Sequence, residues 1–119
     1  MQNNINYIGT GEKRYPIVFN LNVMESIQEA YGSLSAWGRI VENEGGGEPK
    51  IKDLKAGLMM MINEAIDIEN ERTGERAPFL TSKQVGRLIG DVGFDEVTAT
   101  IQNLTVASTH TGDNDGKNE

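Results

Sequence analysis

The chain has no cysteine, one histidine, one tryptophan and three prolines in 119 residues. The missing cysteines exclude disulfides, thiolate metal sites and cysteine nucleophiles. Its longest apolar run, Leu58 to Ile62, falls far short of a membrane span. The start, Met-Gln-Asn-Asn, has neither the basic nor the apolar region of a signal peptide. Cytoplasmic placement is the expectation that follows. Basic residues are also scarce: 18 acidic side chains face 11 basic ones, a net charge of −7. A nucleic-acid binder needs a basic face to displace counterions from phosphates. The densest basic spot here is Lys13 and Arg14, so neither nucleic acid nor membrane is expected as a partner.

What remains fits one domain, expected over residues 1–107. Ile5 and Tyr7 alternate, as do Tyr15, Ile17 and Phe19 with Pro16, Val18 and Asn20. A period of two predicts strands, and Gly9 to Glu12 supplies a turn between them. Pro16 cannot donate to a ladder and belongs at an edge. The period then becomes helical. Val23, Met24, Ile27 and Tyr31 form a first helix, capped by Asn20 or Asn22 and stopped by Gly32. Leu34, Trp37, Ile40 and Val41 form a second after Ser33. A loop rich in glycine precedes the longest helix, from about Ile51 to Arg72. Ile51, Leu54, Leu58, Met61, Ile62, Ala65, Ile66 and Ile68 share one side of it, and Met59 widens the stripe. An apolar arc that wide predicts contact with two or more neighbours. Thr81 and Gln84 make a capping box ahead of Val85, Leu88, Ile89 and Val92. Phe94, Val97, Ile101 and Leu104 make a fifth helix, with Asp95 as the expected cap. The fold class is therefore mainly α, an N-terminal hairpin followed by about five helices. From Ser108 the residues are small, polar or charged, and an acidic disordered tail is expected over 108–119.

No set of side chains reads as a catalytic centre, and no cofactor or metal is expected. His110 falls in the predicted tail, without the supporting shell that acid–base or metal roles require. Gly9 to Arg14 lacks the spacing of a phosphate loop and leads into a strand. Asp113 to Gly116 resembles half of a calcium loop but lacks its later bidentate glutamate. Glu64, Asp67, Glu69, Glu71 and Glu75 read as a solvated face, within reach of Arg72. Met59, Met60 and Met61 stand out. Methionine fills irregular gaps in cores and also serves surfaces that accept varied apolar partners. Met59 and Met61 read first as core. Met60 interrupts a polar face and reads equally as core or as a partner contact. The candidate partner-binding residues are Met59 and Met60.

The order of segments resembles a known family. "RYPIVFNLNVMESIQEAYGSL" leads from a strand into a helix ending in Tyr31 and Gly32; "DLKAGLMMMINEAIDIENERTGE" and "FLTSKQVGRLIGDVGFDEVTATIQNLTVAS" follow. This is similar to the tail assembly chaperones of long-tailed phages and prophages of Gram-positive bacteria, over residues 5 to 107. The likeness lies in organisation and pattern rather than in an invariant motif. It implies a protein that binds the long hydrophobic tape measure protein and helps recruit tail tube protein around it. It also implies absence from the mature virion and no catalytic residues; self-association is open. The alternative is a small structural virion component, such as a head–tail connector or tail-completion protein.

Overall fold

The computed structural model describes the backbone of residues 5–117 and the side chains of residues 5–107. Two short strands, β1 (Asn6–Ile8) and β2 (Tyr15–Ile17), pair antiparallel, with Tyr7 opposite Pro16. A single 3-10 turn, Gly11–Lys13, joins them. Gly9 adopts φ +92°, and a Cβ there would press into the Lys13 carbonyl. That close approach is why the turn opens on glycine. Five helices follow: α1 (Leu21–Tyr31), α2 (Leu34–Glu42), α3 (Ile51–Thr73), α4 (Ser82–Val92) and α5 (Phe94–Lys117).

The helix boundaries follow local chemistry. Asn20 caps α1 by accepting from Val23 N at 3.1 Å, and Ser33 caps α2 by accepting from Ala36 N at 3.0 Å. Thr81 and Gln84 form the reciprocal capping box of α4. Leu80 and Val85, the residues before the cap and four after it, are both buried in one core cluster. This is the disposition of a hydrophobic staple. Asp95 is not the cap of α5. Gly93 ends α4, and its carbonyl accepts from Val97 N at 3.0 Å, so α5 begins at Phe94 with no intervening loop. Asp95 and Glu96 stand instead in the first turn, where the helix dipole favours acids.

α3 is the central element and touches β2, α1, α2 and α4. Its fully buried residues are Leu54, Gly57, Leu58, Met61, Ile62, Ala65 and Ile66. They recur at three- and four-residue intervals and form a narrower seam than the sequence suggests. Ile51 sits at the open end of the helix and is 47% exposed, and Ile68 is only half-buried. The strict alternation expected across residues 15–20 also fails at Val18. Ile17, Val18 and Phe19 are all buried. β2 ends at Ile17, and the chain then runs onto α3, where Val18 N donates to Met61 O at 3.3 Å. No single face of this segment is left to solvent, so the period of two is lost.

The expected tail starts at Ser108, where the described side chains stop; the backbone of α5 continues to Lys117. No helix among the described residues is long and apolar enough to cross a membrane.

Candidate partner-binding surface

The three methionines divide by helical position. Met61 lies in the α3 seam and is fully buried. Met59 and Met60 flank the seam, half-buried, and pack against the core with part of each side chain left outside. Met60 therefore packs partly in the core and keeps part of its side chain exposed. It opens a stripe on α3 with Asn63, Asp67 and Asn70, which recur at intervals of three and four residues and so share one face.

That stripe faces an extended segment leading into α4. Asn70 grips Ala77, its Oδ1 accepting from Ala77 N and its Nδ2 donating to Ala77 O, both at 3.0 Å. Asn63 grips Leu80 in the same way, at 2.8 and 3.1 Å. The match is one of length. Seven helical residues rise about 10.5 Å, and three extended residues span about 10 Å. Two asparagines two turns apart can thus hold an antiparallel strand-like segment at both ends. Leu80 turns inward, and Phe79 between the clamps is turned out, 54% exposed.

Phe79 and Met60 line a cleft of about 400 Å³ whose far wall is the start of α1, at Asn22, Val23 and Ser26. Glu64 and Asp67 also line it, and its described lining includes no lysine or arginine. Glu64 Oε2 accepts from Asn20 Nδ2 and Asn22 Nδ2, both at 2.9 Å, tying α1 to α3. Past Phe79 a second hollow of about 400 Å³ is bordered by Glu75 and Arg76.

The acidic end of α3 is therefore more than a solvated face. Glu69 accepts from the Tyr7 hydroxyl at 2.7 Å and lies 3.5 Å from Arg72 Nη2, while Arg14 stacks 4.0 Å over the Tyr7 ring. The hydrogen bond to Glu69 raises the Tyr7 phenol above its usual value, aided by burial and by the carboxylate's charge. The phenol of Tyr31, which donates to Asp53 O at 3.3 Å, is raised by burial first and then by the Asp53 charge.

A larger cavity of about 580 Å³ lies between the hairpin and α4 and α5. Its polar lining includes Tyr7, Thr10, Glu96, Thr100 and the exposed ion pair of Lys13 with Asp91 at 3.3 Å. Its described lining includes no histidine. Among the described residues no group of three or more acidic or histidine side chains could hold a metal. The side chains of His110 and of Asp113 to Gly116 lie outside the described residues.

Phe79, Asn63 and Asn70 are the residues that sequence reading passed over. A signal for Phe79 was present. The staple assigns Leu80 to the core, and in an extended segment the preceding residue then faces out. The asparagine clamps had none, because their partners are backbone groups. Compared with protein-family models, with curated proteins and with solved structures, the chain matches none.

Proposed function

We propose that this chain is a phage tail assembly chaperone, which binds the hydrophobic tape measure protein in the host cytoplasm and helps recruit tail tube subunits. The observation that carries the reading is Phe79, an aromatic side chain held in the open by two backbone clamps, beside the half-buried Met60. An exposed aromatic on a fixed segment costs little entropy on binding and gives an apolar anchor. The resemblance in segment order, from strand to Tyr31–Gly32 to the α4 capping box, supplies the identity of the client. An unsheathed tape measure protein exposes apolar stripes that self-associate unless covered. A weak contact of this size gains strength when many copies line one long client.

The test is co-expression of the tape measure protein with and without this chain, scoring client solubility. The wild type should keep the client soluble and Phe79→Asp should not, with an unchanged fold by circular dichroism. Phe79 serves better than Met60 here, because Met60 packs partly in the core. A wild type that leaves the client insoluble overturns the reading. Recovery of the chain in purified virions by mass spectrometry would point instead to a structural virion component.

A further inference from the structure

The Met60–Phe79 cleft has a chemical character that the chaperone reading does not specify. Its apolar lining comes from Met60, Val23 and Phe79, and its described ionisable lining residues are both acidic, Glu64 and Asp67. From Met60 to Asp67 the α3 wall spans seven residues, about 10.5 Å or two helical turns. We propose that the cleft seats two turns of one amphipathic partner helix that carries a basic residue beside its apolar stripe. An apolar side chain of the partner enters between Met60 and Phe79, and a lysine or arginine one turn away meets Asp67 and the free oxygen of Glu64.

Three observations carry this. The cleft's described lining has no cation to neutralise the two carboxylates, so a partner's cation is the complementary group. Glu64 is held in place by two amide donors on its other oxygen. A prealigned acid loses less freedom on pairing than one on a free side chain. Phe79 is fixed by its clamped neighbours, Ala77 two residues before it and Leu80 one after it. The spacing of anchor and acids is therefore set before a partner arrives. Two clefts with the same apolar lining would differ in what they select: here the acids admit cationic helices and repel anionic ones. The inference rests on the chaperone reading for the partner's identity, but not for its chemistry.

The experiment uses the full chain and two synthetic amphipathic helical peptides. They share one apolar stripe; one has lysines beside it and the other glutamates. Fluorescence anisotropy should show the lysine peptide binding at least about tenfold more tightly at low salt. The preference should shrink toward 1 M salt, where the screening length falls to about 3 Å. The double variant Glu64→Gln, Asp67→Asn keeps an acceptor for Asn20 and Asn22 and should erase the preference. Phe79→Ser should weaken both peptides. Equal binding of the two peptides by the wild type, or a preference that survives the double variant, overturns the proposal. So does a concentration-dependent dimer that Phe79→Ser dissociates, since a second copy would then fill the cleft. If the peptide preference holds and the co-expressed client stays insoluble, the chaperone reading fails alone. If the client is solubilised without a peptide preference, the cleft proposal fails alone.

Discussion

The outer end of the Trp37 indole, led by Cη2, lies against the backbone of α3 at Gly57. A Cβ on Gly57 would stand 2.6 Å from Trp37 Cζ2 and 2.8 Å from Cζ3. Glycine in a helix interior is about 1 kcal/mol less favourable than alanine, and here the lost propensity is offset by contact. Trp37 is fully buried and packs against Tyr31 in a tilted pair, with ring centroids 5.4 Å apart and planes inclined at 34°. This one pair sets how closely α2 approaches α3.

Gly57→Ala should therefore destabilise the protein, by about 1–3 kcal/mol as overpacking does, although alanine is the better helix former. Trp37→Ala should cost about 3–5 kcal/mol. The pair should couple: Trp37→Phe shortens the ring and should lessen the penalty of Gly57→Ala. Urea denaturation of the four members of the cycle checks this, and strict additivity would mean that the two residues do not constrain each other.

Asn63→Ala removes both partners of the Leu80 peptide and should cost about 1–3 kcal/mol, because that segment is partly buried. Asn70→Ala acts at an exposed site and should cost less. Amide exchange should locate the effect, with the Leu80 N–H exchanging faster in the first variant and the Ala77 N–H in the second. Slow exchange at Leu80 in Asn63→Ala would show that the clamp is not what holds Phe79 out.

Thr81→Ala removes the capping oxygen of α4 and should cost about 1 kcal/mol. Thr81→Ser keeps the oxygen and should be nearly neutral. Thermal melts of the two variants separate loss of the cap from loss of the methyl group.

The raised phenols of Tyr7 and Tyr31 make an alkaline prediction. A phenol raised on folding holds its proton more tightly in the native state than in the unfolded one. Its contribution is complete below the unfolded value near 10 and is lost as pH rises through the higher folded value. Stability should be insensitive to these groups at neutral pH and fall above about pH 10. Tyr7→Phe should flatten part of that fall, read by urea midpoints across the alkaline range. An identical fall in wild type and Tyr7→Phe would remove Glu69 as its cause.

Much of the architecture is written in short stretches of sequence. Asn20, Ser33 and the Thr81–Gln84 box start helices because their side chains reach amides three residues on. Gly32, Gly74 and Gly93 end them because each adopts a positive φ. These are local bonds, and local spacing reveals them. The existence of five helices and a hairpin, and the burial of Leu54, Leu58, Met61 and Ile62, followed from periodicity alone.

Tertiary structure decided whatever depended on a distant partner. Gly57 looks like a weak point in α3 until Trp37, twenty residues earlier in the chain, lies against it. Val18 alternates outward by pattern and is buried because the chain crosses α3 there. Glu64 and Glu69 read as solvent-facing charge and serve as acceptors for Asn20, Asn22 and Tyr7. Phe79 faces out because Asn63 and Asn70 hold the backbone on either side of it. Spacing along one chain reports which residues share a face of one element. It does not report which face of another element will meet them, because that depends on how the elements pack.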